Sequence, residues 1–540
     1  MAVNIIASSD LKINRTLSQG QLRQLKLDEA NALYHAQSFS EERPPVFKSL
    51  AHEIIALLTL TCGPSLATMN QGAMLIALPH VGKSFGISGS ELSWTISAFA
   101  LSSGTFVLLL ASIADNIGRK RMVVVAYVWY ALWCLVSGFM KRDIEFDVFR
   151  GLQGLSGAAA APAAVGIIGA TYVPGKRKNR AMATFSAGAP IGFIVGIICG
   201  GICTQFISWR AFFFFSTILY SVLAILVWYS APDDPHMHWS EMKENLSKLD
   251  YFGALLATSG LVMFVFALTQ SGATSKGWAE PYVIALLIVG IVTFAIFMFW
   301  ESKAKNPLMP LGIWFYPGFA LSMFIVACGF MNFLGVLNYY MTLIFQEVRD
   351  ASAILTTAYL VPQAVCGVLV NVFAALTLHV IPGRILMFIA MTAFTVSALL
   401  WALQPIHLIY WAMAFPSICL SVVGADLAYN VANMHTLSAV PPESQSSAAG
   451  IFNTVFQLSA AIGIAASTTI VHTAADRSSH TGVQQLYDSY QAAFWFAVGV
   501  SGVGTIASGF LKVGTQGRKA ADTDEEKVEE ATKTTIISSP

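Results

Sequence analysis

Fourteen stretches of this 540-residue chain are apolar for about the roughly 20 residues that a helix needs to cross a bilayer. Inside lipid the backbone has no water to bond, so each stretch must satisfy its own N–H and C=O groups as a helix. The spans are expected near 52–79, 92–113, 122–140, 148–172, 181–204, 210–229, 251–271, 280–300, 316–343, 352–376, 382–402, 406–431, 447–471 and 490–511. Charged residues make up 11% of the chain and hydrophobic ones 55%. A soluble protein carries roughly 25% charged residues, so lipid is the solvent for most of this chain. The expected fold class is an all-α polytopic membrane protein.

The placement of charge orients the spans. Of 31 Lys and Arg residues, 23 lie in one set of segments: 1–48, 119–121, 176–180, 230–249, 303–305, Arg384 and 512–540. Seven lie in the loops of the other side, and Arg150 stands inside a span. Basic loops stay in the cytoplasm, so both termini are expected there. Residues 1–50 show no apolar core after Met1 and read as a flexible cytoplasmic tail without a signal peptide. The link 230–249 is expected to hold a short amphipathic piece near 239–248, with His236 and His238 as surface residues. A net charge of +1 gives no field that would attract nucleic acid.

Polar residues inside apolar spans are costly and must face protein or a watery cavity. Arg150 lies near the start of span four, with Gln153 one turn away. Two readings stand: a snorkel to the outer headgroups, or a cationic group on the cavity wall. Asp426, in Gly424-Ala-Asp-Leu-Ala-Tyr-Asn430, is expected well inside the hydrocarbon. Burial penalises the charged form of a carboxylate, which suits such a group to bind and release a proton; accepting hydrogen bonds between helices is the structural alternative. Asn70, Gln71, Asn338, Tyr339, Tyr340, Asn371, Asn430, Asn453 and Gln457 are further candidates for a largely apolar cavity. Span five repeats Gly188, Gly192, Gly196 and Gly200 every four residues around Pro190. Such a face lets another helix approach closely, for packing or for sliding between states.

Some chemistries are excluded by motif. The chain has no GxxxxGK[ST] loop for ATP, no HExxH, no GxSxG and no repeated filter loop. No metal or cofactor is expected, and Cys199 and Cys203 are expected to pack rather than ligate. Uphill movement would draw on an ion gradient.

The turn Ala111-Ser-Ile-Ala-Asp115-Asn-Ile-Gly118-Arg119-Lys120-Arg121 is similar to the helix 2–3 loop of the major facilitator superfamily. Ala111 and Ile113 replace that motif's usual Gly and Leu. Arg150-Gly-Leu-Gln-Gly154 resembles the family's helix-four signature, and the glycine ladder resembles its antiporter motif, with Ala189 where a glycine usually precedes Pro190. The resemblance is to the fourteen-span drug:proton antiporters of fungal type. Gly424-Ala-Asp-Leu and Val440-Pro-Pro-Glu-Ser-Gln445 resemble the aminotriazole-resistance-like branch.

The resemblance implies two six-helix bundles, at 51–230 and 311–512, around two inserted helices within 231–310, and a disordered tail at 513–540. It implies that Asp115, Gly118, Arg119 and Lys120 form an inner gate, with His379-Val-Ile-Pro-Gly383-Arg384 as an eroded second copy. It further implies proton-coupled export of small, largely apolar or weakly charged organic compounds by a monomer, expected in the plasma membrane with the vacuolar membrane as the alternative. An importer or facilitator of a small nutrient or iron chelate on the same fold is the rival reading.

Overall fold

A computed structural model describes residues 43–514 except 88, 174–175, 234–243, 245–248, 275–276, 305–306, 379 and 442–444. The amphipathic piece expected near 239–248, with His236 and His238, falls almost wholly outside the described residues. Fourteen helices are long and apolar enough to cross a membrane, and no strand occurs among the described residues. They are α1 Leu50–Phe85, α2 Gly89–Ile117, α3 Arg119–Phe139, α4 Asp143–Thr171, α5 Lys176–Phe206, α6 Trp209–Ser230, α7 Tyr251–Ala273, α8 Pro281–Glu301, α9 Phe319–Val348, α10 Ala353–Thr377, α11 Gly383–Leu403, α12 Ala414–Ser438, α13 Gln445–Arg477 and α14 Val483–Ser508. Helices α1–α6 pack as one bundle and α9–α14 as the other. The inserted α7 leans on α2 and α13, while α8 packs mainly on α7.

Local chemistry starts and stops these helices. Ser49, Ser208, Asp250 and Ser352 cap α1, α6, α7 and α10 by accepting backbone N–H bonds. Gly118 joins α2 to α3 at φ +116°, a conformation that a side chain would strain. Two boundaries differ from expectation with consequence. Span twelve was expected at 406–431, but Pro405 opens a run of turns, and Tyr410 and Trp411 lie in that outer loop rather than in the helix. The true α12 is centred on Asp426. Span nine runs on to Val348 through two π-turns, Phe333–Leu337 and Ile344–Val348. The first lets Gly335 meet Gly463 of α13: a Cβ on Gly335 would sit 2.6 Å from the Gly463 Cα.

The outer halves of the two bundles share one hydrophobic core. It runs without a break from Leu75, Ile76 and Val81 of α1 to Leu343, Ile344 and Phe345 of α9 and Leu360 of α10. The cytoplasmic half of the second bundle forms a core of its own around Phe330, Phe394, Leu427 and Phe452. Bundle-to-bundle hydrogen bonds repeat the asymmetry. Gln346 donates to the Ile76 carbonyl at 3.0 Å, Thr357 to the Ile197 carbonyl at 3.2 Å, and Gln457 to the Ser103 hydroxyl at 3.1 Å. The first two lie beside the shared core, and the third lies halfway along α2.

The glycine ladder of α5 faces α1 of its own bundle. A Cβ on Gly188, Gly192, Gly196 or Gly200 would fall within 2.6 Å of backbone at Thr61, Ser65, Met69 or Ala73. Both helices thus repeat every four residues, and their backbones touch. Ile197 and Gly201 of α5 instead meet Thr357 of the other bundle. Residues just outside the first and last helices pack as well. Phe47 is buried beside Tyr172. Val513 and Gly514 accept hydrogen bonds from Arg384 and Gly383 at the start of α11. Gly196→Ala should lower the melting temperature of the solubilised protein by an amount equivalent to about 1–3 kcal/mol, because its Cβ would sit 2.1 Å from the Met69 carbonyl oxygen. Gly499→Ala, with no atom within 4 Å of its Cβ, should leave the melt unchanged.

Candidate functional site

The first polar constellation is built on α4. Arg150 is fully buried at 0% exposure, which excludes the snorkel to the outer headgroups. Its side chain turns inward to α1 and α2. Nε donates to the Thr95 carbonyl at 2.9 Å, and Nη1 donates to Gln153 Oε1 at 2.9 Å and to Asn70 Oδ1. Asn70 in turn donates to the Tyr130 hydroxyl at 2.8 Å, and Gln153 to the Ser137 hydroxyl at 2.7 Å. The Phe99 ring lies 5.2 Å from the guanidinium. Gly154 lets α4 close on α2, since its Cβ would sit 2.4 Å from the Phe99 carbonyl.

Among the described residues no carboxylate comes within 4.0 Å of Arg150, and its Nη2 has no hydrogen-bond partner. Its hydrogen bonds all go to neutral oxygens. Asp147, one turn earlier on α4, reaches Thr95 instead at 3.5 Å. Gln71 is buried next to Asn70 in sequence without joining this network.

The second constellation lies in the other bundle. Asp426 sits midway along α12, facing Gly367 of α10: a Cβ on Gly367 would be 3.2 Å from Asp426 Oδ2. That oxygen is buried without a hydrogen-bond partner. Asn430 bridges the same two helices, donating to the Asp426 carbonyl at 2.8 Å and to Asn371 Oδ1 at 2.9 Å. Asn338 follows the first π-turn of α9 and accepts from Gln363 at 2.9 Å. Tyr340 is buried against Tyr339, Tyr490 and Phe494. Asn453 bonds only its own helix, at the Ala449 carbonyl. The candidates therefore divide into one group per bundle rather than a single ring.

At the cytoplasmic ends, Arg119 bonds Asp115 at 2.7 Å and the Gly166 carbonyl of α4 at 2.7 Å. Lys120 pairs with Asp233, beyond α6, at 2.6 Å. These ties stay within the first bundle. The Arg384 side chain is exposed. A clamp that sequence reading missed pairs Glu53 of α1 with Arg177 and takes a bond from the Tyr172 hydroxyl at 2.9 Å. Burial, then the Glu53 carboxylate beside it, pushes the Tyr172 phenol up from its ordinary range. A carboxylate in the first turn of α1 opposite a basic loop was the available signal. The seven cysteines are all free, and no cluster of metal-ligating side chains occurs among the described residues.

Residues 60–464 match the Major Facilitator Superfamily. The chain belongs to that family. It is 34% identical to the low affinity ammonium transporter of Saccharomyces cerevisiae, over 86% of this chain and 88% of that one. It is 29% identical to the efflux pump terJ of Aspergillus terreus, over 86% and 89%. The aminotriazole resistance protein of S. cerevisiae is 25% identical over 89% of each chain, so the likeness to fungal efflux-type relatives holds without selecting that branch. The crystal structure of the nucleoside transporter NupG shares the fold, with TM-score 0.54 and 14% identity over 84% of this chain and 98% of that one. The protein is a multi-pass membrane transporter of small organic molecules.

Asn70→Leu should cost about 3 kcal/mol of stability, because it strips an oxygen from a buried cation that has no carboxylate to replace it. Gln71→Leu should cost less than about 1 kcal/mol. Thermal melts of the two solubilised variants check the contrast.

Proposed function

We propose that the protein exports small, largely apolar or weakly charged organic compounds in exchange for protons, by alternating access. The observation that carries this reading is Asp426, a carboxyl group at the middle of α12 with one oxygen buried and unbonded. A charge there is costly unless a proton or a partner neutralises it. Gaining and losing that proton would change how α12 sits on α10, and so bias the two arrangements of the bundles. The core shared by the two bundles, with the Gln346 and Thr357 bonds beside it, fits the state that receives cargo from the cytoplasm. The efflux pump among the relatives supports the direction.

Arg150 braces the first bundle in this reading, and the Asp115–Arg119 tie shapes the inner rim. The protein works as a monomer in the plasma membrane. A second reading, uptake of a small nutrient, is favoured by one observation: the identity with an ammonium transporter.

Sealed vesicles with an imposed pH gradient separate the two, since accumulation against export polarity would favour uptake. A tolerance panel of deletion and overexpression strains against azoles, fungicides and borate would supply the cargo class. Asp426→Asn is expected to abolish gradient-driven flux while the protein still folds. Normal gradient-driven flux in that variant removes Asp426 from the mechanism.

A further inference from the structure

A cavity of about 460 Å³ opens on the outer side of the second bundle, between α9, α13 and α14, with Leu92 of α2 at its edge. It shares Tyr340 with the second constellation but includes neither Arg150 nor Asp426. The second π-turn of α9 sets Glu347 on its wall. Glu347 Oε2 accepts a hydrogen bond from the Tyr490 hydroxyl at 2.7 Å. The other carboxylate oxygen has no hydrogen-bond partner among the described residues.

Nearby cations do not supply one. No Lys or Arg lies within 4.0 Å of Glu347 among the described residues. Lys83, at the outer end of α1, stands beyond that distance. The Arg349 guanidinium is turned to the Phe345 ring at 5.9 Å, and His472 faces Asp476 at 3.4 Å.

The remaining wall is aromatic. Tyr339 and Tyr340 meet with ring centroids 4.9 Å apart, and Tyr340 and Tyr490 at 5.3 Å. Tyr339 is 1% exposed and lines the cavity, yet its hydroxyl has no hydrogen-bond partner. The Tyr340 hydroxyl is likewise without a partner, while Thr468 bonds the Ile464 carbonyl and Ser489 the Gln485 carbonyl. The open demands of the cavity are thus one carboxylate oxygen, two phenol oxygens and three aromatic rings. All three are met by a cation that carries N–H bonds.

We propose that this cavity is an outer-face binding site for protonated amines attached to an apolar or aromatic body. The ammonium N–H groups bond Glu347 and the Tyr339 hydroxyl, and the body lies against the tyrosine rings and Leu92. A quaternary ammonium would leave both oxygens unbonded, and a neutral alcohol would leave the carboxylate without a counter-charge. The site goes beyond the export reading, because it names a ligand class and does not depend on the direction of transport.

The test uses the full-length protein in phosphatidylcholine nanodiscs at neutral pH, with tritiated phenethylamine as the probe and 2-phenylethanol as its neutral isostere. Saturable phenethylamine binding is expected, weakened about tenfold or more by Glu347→Gln and several-fold by Tyr339→Phe. Glu347→Asp should keep most of the binding, and 2-phenylethanol should not compete. Absence of phenethylamine binding, unchanged affinity in Glu347→Gln, or equal competition by the alcohol overturns the proposal. Should Glu347→Gln fail to fold, wild type and Tyr339→Phe decide it: unchanged affinity in Tyr339→Phe, or competition by the alcohol, is then the overturning result. Binding that survives while gradient-driven export is absent would sink the export reading and leave this site standing.

Discussion

A guanidinium without a carboxylate, enclosed at the centre of four helices, is the interaction on which the first bundle depends. A buried charge costs several kcal/mol unless its surroundings solvate it. Here the solvation comes from Thr95 on α2, Asn70 on α1 and Gln153 on α4 itself. Asn70 and Gln153 are held in turn by Tyr130 and Ser137 of α3. Losing the register of any one helix would strand the charge. The network therefore specifies how α1 to α4 sit together, which apolar packing in lipid does only weakly.

The second organising device is the absence of side chains. The glycines of α5 bring its backbone onto α1 at Thr61, Ser65, Met69 and Ala73. Without a hydrophobic drive between helices in lipid, close van der Waals contact of this kind is a main source of association. It joins the two helices into one rigid pair inside the first bundle. The partner bundle is met at other residues: Gly201 with Thr357, Ile76 with Gln346, and Ser103 with Gln457. The two bundles also share an apolar core along part of this interface, so rocking them as two bodies would have to open it.

The inserted pair is asymmetric in the same sense. Helix α7 covers the seam between α2 and α13, where Ala100, Leu101, Val265 and Leu458 form a small core. Helix α8 lies outside it and buries little of its surface. Among the described residues no inserted helix covers the seam between α5 and α10 in this way. The two sides of the bundle interface therefore differ in access to lipid.

The sequence alone determined the number of spans and the helical class, because bilayer thickness sets a length and an unbonded backbone is forbidden there. It also marked Arg150, Gln153, the Gly118 turn and the glycine ladder, whose spacings are local. It did not determine which helix the ladder faces, that Asn70 rather than Gln71 reaches the guanidinium, or that Asp426 faces Gly367 of α10. Those depend on contacts between residues tens to hundreds of positions apart and on rotation about helix axes, which no local period encodes. The extension of α9 by two π-turns, and with it the placing of Glu347 beside Tyr490, was likewise decided by packing. Apolar composition says that a helix crosses the membrane, and only its neighbours decide which face it turns inward.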